Sequence, residues 1–228
     1  MKVEVIVLSA GIGTRFNSKT PKPLIPLNGQ PLITYSLDIF QQCSFVNTVT
    51  LVIHSDYREE YEHVVNEYKL DKVKNIIPGG MTRSESVKEG LKKLSPNTEI
   101  VVIHDGARPF ITQDMVKGLL EACQRHQAVI TATPVKPTIK RVNREEMTVK
   151  ETLNREELWE VQTPQVFARE LLEKAHNEAE NQNPTDDAYL VEQLGIKVKI
   201  LPGDYRNIKV TTVEDLVIAQ ALLNLKKG

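Results

Sequence analysis

The stretch "VEVIVLSAGIGTRFNSKTPKPL", residues 3–24, decides how the chain is read. Val3 to Leu8 are apolar apart from Glu4, the pattern of a strand covered on both faces. Gly11 and Gly13 then form a turn whose backbone N–H groups can approach a bulky anion, because glycine has no Cβ in the way. Arg15, Lys19 and Lys22 follow at once, so the expected anion is a polyphosphate. Pro21 and Pro23 restrict the backbone around Lys22 and reduce the entropy lost in fixing it over the turn. A dinucleotide fingerprint is disfavoured, since Phe16 stands where G-x-G-x-x-G requires its third glycine for close helix–strand packing. Nor does the chain contain a G-x-x-x-x-G-K-[ST] phosphate loop.

Working outward, strand-like runs alternate with helical patterns. "LITYSLDIFQQC" has a helical apolar period, and "TVTLVIH" precedes "YREEYEHVVNEY", where Tyr57, Tyr61, Val64, Val65 and Tyr68 share one face as core and rim. "VKNIIP" leads into "GGMTRSESVKEGLKKL", in which Thr82 and Glu85 form a capping box that opens a helix. "EIVVIHDGARPF" reads as a strand with polar residues at its C-terminal end. "TQDMVKGLLEACQRH" places Met115, Leu119, Leu120 and Cys123 on one helix face, and "AVITATPV" is the next buried strand. This alternation predicts an α/β fold, a mostly parallel sheet flanked by helices. From about residue 136 the pattern breaks. The charged segment "TIKRVNREEMTVKETLNREELW" has a turn centred on Asn143 to Glu146 and reads as a two-stranded arm, which needs a partner because an isolated hairpin is marginal in water. A second copy of the chain is the simplest partner. The α/β pattern resumes afterwards, with "NIKVTT" as a late strand and a helix from Val213 to Leu225. The expected organisation is one domain over residues 1–228, with a β-arm inserted at 136–157.

The chain carries 29 Lys and Arg against 30 Asp and Glu, a formal net charge of −1. No global field draws it to nucleic acid or to a membrane, so an anion site must be local. No apolar run reaches the roughly 18 residues of a membrane span, and the short apolar start interrupted by Glu4 does not read as a signal peptide. A cytoplasmic location is expected. Cys43 and Cys123 sit in apolar-periodic segments and read as small buried hydrophobes.

Four further stretches bear on chemistry. In "HDGARPF", Asp105 lies just beyond a strand end, where ligands bind in open α/β sheets; a carboxylate there can hold a divalent metal directly or through water. "GGMTRSES" is a second glycine turn, with Arg83 and Ser86 beside it, and Lys209 falls near the end of "NIKVTT". Polar loops carry Arg155, Thr163, Gln165 and Thr185.

Taken together and in order, "SAGIGTRF…PKP", "GGMTRSESVKEGL", "VVIHDGARPF", "PVKPTIKRV", "TLNREELWEVQTPQVF", "TDDAYLVEQLG" and "GDYRNIKVTTVEDL" resemble the 2-C-methyl-D-erythritol 4-phosphate cytidylyltransferases of isoprenoid biosynthesis over essentially the whole chain. The resemblance implies a Rossmann-like core, an interlocking β-arm and a homodimer. It implies that Arg15 and Lys22 stabilise the transition state at the α-phosphate of CTP, and that Ala10, Gly11, Gly13, Gly80, Ser86 and Asp105 line the nucleotide site, with Arg83 beside them. Arg155, from the neighbouring subunit's arm, and Lys209 would position the acceptor phosphate, with Thr138, Thr185 and Arg108 near the acceptor polyol. Mg²⁺ is the implied cofactor, with Asp105 as its carboxylate, through water. The chain departs from the family at Pro137, where an aspartate is usual, at Met81, where an acidic residue is common, and in "PKPLIPL", which is closer to sugar-1-phosphate nucleotidyltransferases. Ribitol-5-phosphate cytidylyltransferases share most of these motifs; Ala107 and "TDDAYLVE" favour the methylerythritol branch. A non-catalytic nucleotide-binding regulator would need neither Arg155 nor Lys209.

Overall fold

The computed structural model describes residues 1–11, 21–178 and 184–225. Gly13, Arg15 and Lys19 lie outside the described residues. The elements follow in the order β1 (Val3–Ser9), β2 (Pro26–Leu27), β3 (Gln30–Pro31), α1 (Leu32–Gln42), β4 (Thr48–Ile53), α2 (Arg58–Glu67), β5 (Val73–Pro78), α3 (Arg83–Leu91) and β6 (Ile100–Asp105). They continue with α4 (Gln113–His126), β7 (Ala128–Pro134), β8 (Lys140–Asn143), β9 (Thr148–Thr152), β10 (Trp159–Ala168), α5 (Arg169–Glu178), α6 (Asp187–Gln193), β11 (Lys199–Pro202) and α7 (Val213–Leu225).

Seven strands form the main sheet in the order β11-β7-β10-β6-β1-β4-β5. The pairs β1–β4, β1–β6, β4–β5 and β7–β11 are parallel, while β10 runs antiparallel between β6 and β7. The near-continuous apolar run of β1 now has its cause: the strand is central and covered on both sides. Because successive side chains alternate faces, Val3, Val5 and Val7 join a cluster with α1, α2 and α4, through Phe40, Tyr61 and Leu119. Ile6 belongs to the opposite cluster, with Val87 of α3, Leu172 of α5 and Val191 of α6. A third cluster places α7 against Leu27, Leu32, Ala107 and Phe110.

Local signals hold where they concern apolar faces and caps. Thr82 Oγ1 accepts from Glu85 N at 3.1 Å, and the Glu85 carboxylate accepts from Thr82 N at 3.3 Å, closing the expected capping box. Tyr61 is fully buried and its hydroxyl meets Ser9 Oγ at 2.8 Å, while Tyr57 and Tyr68 pack at the rim. Cys43 and Cys123 are buried free thiols.

Two readings are corrected. Thr163 and Gln165 are not in a polar loop; they lie in β10, ten residues long and inserted into the middle of the sheet. Periodicity missed this strand because its register shifts between Gln162 and Gln165 and because three of its polar side chains are buried with specific partners. Gln162 Nε2 donates to the Asp204 carbonyl at 2.8 Å, Thr163 Oγ1 accepts from Asp105 N at 3.0 Å, and Gln165 Nε2 donates to Asp186 Oδ2 at 2.7 Å. "NIKVTT" is likewise not a strand but an extended loop. It crosses the strand ends, where Val210 N bonds to the Ala107 carbonyl at 2.9 Å and the Asn207 amide donates to the Thr163 carbonyl at 2.9 Å, so no ladder is left to it.

β8 and β9 pair only with each other, in a two-stranded sheet of their own, and leave Val142, Met147 and Val149 exposed. The turn lies at residues 144–147, one position beyond the expected centre.

The fit of α3 on β1 depends on Gly90, where a Cβ would lie 2.6 Å from Ile6 Cγ2. Gly90→Ala is expected to destabilise the protein by about 1–2 kcal/mol, because overpacking a closed core outweighs alanine's helix propensity of about 1 kcal/mol over glycine. Urea denaturation checks this through a lowered midpoint.

Candidate active site

The C-terminal ends of β1, β5 and β6 come together where β4 and β6 lie on opposite sides of β1, a topological switch point of the kind at which open α/β sheets bind ligands. There a cavity of about 230 Å³ is lined by Ala10 and Gly11 after β1, Gly80, Arg83 and Ser86 around the start of α3, Asp105 and Ala107 after β6, and Lys22 and Lys209. A second cavity, of about 400 Å³, is lined by Arg108, Thr163, Gln165, Thr185, Asp186 and Tyr189 among others. Arg83, Asp105 and Lys209 border both. Of the expected site residues, nine described ones therefore meet in the first cavity, and Arg108 and Thr185 join the second.

The remaining two described residues are elsewhere in this chain. Arg155, in a single turn of 3₁₀-helix after the hairpin, is exposed and donates to the Lys136 carbonyl at 3.1 Å; Thr138 is exposed before β8. Neither lines a cavity with Asp105.

The second glycine turn works through close approach. A Cβ on Gly79 would lie 2.5 Å from Ala10 Cβ and 2.7 Å from Ser86 Oγ, so only glycine lets the two turns pass. Ser86 Oγ accepts from Gly80 N at 3.2 Å and donates to the Thr82 carbonyl at 3.0 Å, tying the turn to its helix.

Cations surround Asp105. Lys209 Nζ lies 2.7 Å from Oδ2, Arg83 Nε 3.5 Å from Oδ1, and Arg108 Nε 3.9 Å from Oδ2. Burial alone would raise the Asp105 carboxyl, but Lys209, then Arg83 and Arg108, outweigh it and hold it well below the usual carboxylate range. It is therefore ionised at neutral pH. Arg108 is largely committed to the frame, donating through Nη1 to the Asn207 carbonyl at 2.7 Å. Among the described residues no group of three or more His, Cys, Asp or Glu side chains forms a metal-binding cluster.

Sequence reasoning missed the supports behind these groups. Thr163 Oγ1 accepts from Asp105 N, so its hydrogen is left for His104 Nδ1 at 3.1 Å, and His104 Nε2–H then donates to the Arg108 carbonyl at 3.1 Å. This chain of bonds fixes a neutral imidazole and locks the turn of residues 105–108 against β10. The adjacency of His104 to Asp105 was the one signal in sequence, and it does not reveal the partner. Asp187 and His176, behind Arg83, were also missed; the second aspartate of "TDDA" was the only cue.

The family model for 2-C-methyl-D-erythritol 4-phosphate cytidylyltransferase (IspD) matches residues 3–225. The chain belongs to this family. It is 46% identical to the 2-C-methyl-D-erythritol 4-phosphate cytidylyltransferase of Alkaliphilus metalliredigens over 230 aligned positions, covering 99% of this chain and 95% of that one. It is 43% identical to that of Halalkalibacterium halodurans, covering 100% and 99%. Among solved structures, the 4-diphosphocytidyl-2C-methyl-D-erythritol synthase of Anaerococcus prevotii superposes with a TM-score of 0.85 at 33% identity, covering 98% of this chain and 96% of that one. The Thermus thermophilus cytidylyltransferase superposes with a TM-score of 0.80 at 30% identity, covering 98% and 100%. The Rossmann-like, mostly parallel α/β fold expected for an IspD chain is thus the observed one, with β10 as its antiparallel strand.

Burial pushes the His104 imidazolium down to about 4, against an ordinary value of 6.5. The unfolded chain therefore binds the extra proton first, and stability falls as pH drops from about 6.5 to about 4, by about 3 kcal/mol in total from this group. His104→Asn should be less stable than wild type at pH 7 yet lose less stability across that interval. Urea midpoints at pH 7, 5.5 and 4.5 for both proteins test the difference in slope.

Proposed function

We propose that this chain transfers a cytidylyl group from CTP to the phosphate of 2-C-methyl-D-erythritol 4-phosphate and releases pyrophosphate. One observation carries the site reading: the ionised Asp105, with Lys209 and Arg83 on it, stands at the boundary between two adjoining cavities, in a chain of the IspD family. One cavity takes the nucleotide triphosphate and the other the acceptor. An acceptor phosphate oxygen attacks the α-phosphorus in line, forming a new P–O bond, while the bond from the α-phosphorus to the bridging oxygen breaks and pyrophosphate leaves. The nucleophile is already ionised, so no general base is needed. What the reaction requires is cations that bring anions together and neutralise charge in the transition state.

Each residue then has a task. The backbone at Ala10, Gly11 and Gly80 lies close along the triphosphate, a task that Gly13 shares by family resemblance. Lys22, with Arg15 by family resemblance, covers the reacting α-phosphate. Lys209 and Arg83 draw the acceptor phosphate toward the nucleotide, and Thr185 and Arg108 border the polyol. An ionised carboxylate at the cavity boundary, with no metal-binding cluster among the described residues, suits Mg²⁺, which keeps most of its waters and binds through few protein groups and the substrate phosphates. Asp105 would hold it, through water, and the metal would neutralise charge on the phosphates. The exposed hairpin β8–β9 serves a homodimer, in which Arg155 and Thr138 of one subunit complete the acceptor side of the other. The chain works in the cytoplasm as a soluble enzyme, with no role for nucleic acid or membrane; among the described residues no helix is long and apolar enough to cross a bilayer.

The direct test is pyrophosphate release, crossing CTP, UTP, ATP and GTP with methylerythritol phosphate, ribitol 5-phosphate and glucose 1-phosphate. CTP with methylerythritol phosphate is the expected pair; preference for ribitol 5-phosphate or for UTP with glucose 1-phosphate would overturn the assignment. Lys22→Ala should lower kcat on the order of a hundredfold while changing KM for CTP far less, as for a charge used on the transition state.

The dimer has its own test. Arg155→Ala and Lys22→Ala chains should each be nearly inactive, yet a mixed dimer would hold one site with both defects and one with neither. Co-refolding the two should restore up to about a quarter of wild-type activity for random pairing in closed two-fold dimers. Mixed dimers that stay inactive would show that Arg155 does not act across the interface.

A further inference from the structure

Behind Arg83 runs a buried set of contacts that the proposed reaction leaves unused. Arg83 starts α3; its Nη1 donates to Asp187 Oδ2 at 2.7 Å, while Nε faces Asp105 Oδ1 at 3.5 Å. Asp187 opens α6, and its second oxygen, Oδ1, accepts from His176 Nε2 at 2.8 Å. His176 lies in the last turn of α5, and Ser84 Oγ stands 3.5 Å from its Nδ1. His176 and Asp187 are each 1% exposed. Three helices thus meet on one hydrogen-bonded row that begins in the interior and ends at the wall shared by the two cavities.

Stability does not explain this row. The helices around it already pack through Val87, Leu172, Ala175, Ala188 and Val191. Removing a carboxylate from water costs several kcal/mol before pairing offsets it, and an apolar side chain of similar size would often serve a core as well. Burial by itself would raise the Asp187 carboxyl, but the Arg83 charge and the His176 hydrogen bond outweigh it and hold it below the usual range. The row does have a geometric consequence. An arginine at a cavity wall has many rotamers, and the 3.5 Å contact with Asp105 does not select one. Asp187 fixes the guanidinium by its Nη1 corner while Nε faces Asp105, and the side chain held in this way borders both cavities. Asp187 can do so only if its own carboxylate cannot turn, and His176 supplies the second bond that prevents this.

Resting on the proposed reaction, we infer that His176 and Asp187 are positioning residues, which orient the Arg83 guanidinium toward the substrate phosphates from inside the core. A misplacement of about 1 Å at such a group can cost on the order of a hundredfold in rate. His176→Leu and Asp187→Asn should therefore lower kcat about tenfold to a hundredfold, with a much smaller change in KM for CTP. His176→Gln, which can present an N–H near the position of Nε2, should recover most of the loss.

The decisive measurement is a double-mutant cycle on pyrophosphate release. If the pair acts through Arg83, then His176→Leu or Asp187→Asn introduced into Arg83→Gln should lower kcat no further. Losses that multiply, or a His176→Leu enzyme with wild-type kcat, would overturn the inference. Should His176→Leu fail to fold by circular dichroism, the cycle with Asp187→Asn decides. A second readout does not depend on turnover: the Arg83 Nε–H resonance, assigned by its loss in Arg83→Gln, should be a sharp, protected signal in wild type. It should broaden or exchange faster in Asp187→Asn; an unchanged signal would overturn the inference even if the wild-type chain accepted none of the tested substrates, a result that would count separately against the proposed reaction.

Discussion

An ionised carboxylate at the end of a central strand, surrounded by cations from distant parts of the chain, is the constraint on which the rest of the site depends. Asp105 is buried, and burial of a charge is tolerated only where partners offset it. Lys209 is brought in by a loop that crosses the strand ends, Arg83 by the first turn of α3, and Arg108 by the turn that follows Asp105 itself. Each of these segments is in turn tied to the sheet: the loop through Val210 to Ala107, α3 through its capping box, the turn through His104 and Thr163. In the proposed reaction this arrangement is ready before substrate arrives, so cations need not be gathered as negative charge builds at the phosphorus.

The sheet explains how two cavities come to share one wall, on which the proposed reaction relies. β1 divides the strand order, so the turns after β1, β5 and β6 open on a common crevice, while β10, running the other way, closes the far side of β6. The first cavity is walled largely by backbone and small residues, where Gly79 lets two turns approach closely. The second cavity is walled by polar side chains of β10 and of the segment that opens α6. Arg83, Asp105 and Lys209 stand between them. A hairpin that buries little of itself lies between β7 and β10 in the chain, and just outside its two ends are Thr138 and Arg155, the expected acceptor residues that this chain does not bring to its own cavities.

Much of this was legible in the residues. The apolar run of β1, the faces of α1, α2 and α4, the capping box at Thr82 and the break at residue 136 are local patterns, set by which face of a helix or strand must leave water. That Ala10, Gly11 and Gly80 belong to turns near one another, with Ser86 beside them, was legible too, because the glycine turns follow directly on strand-like runs. β10 was not legible: its polar residues look like loop in sequence and become strand only because Asp105, Asp186 and Asp204 meet their hydrogen bonds. Nor was the loop at Lys209, whose alternation imitates a strand although its backbone bonds go elsewhere.

By itself, the sequence determined the fold class and the family, since each rests on short-range pattern or on motifs in fixed order. Only the tertiary structure decided which charges face one another. Arg83 and Asp187 are 104 residues apart, and nothing periodic in the chain marks them as partners. Apolar burial is non-directional and repeats along an element, so it leaves a readable period. A buried hydrogen-bonded charge pair is directional and occurs once, so its partner is settled by the path of the whole backbone.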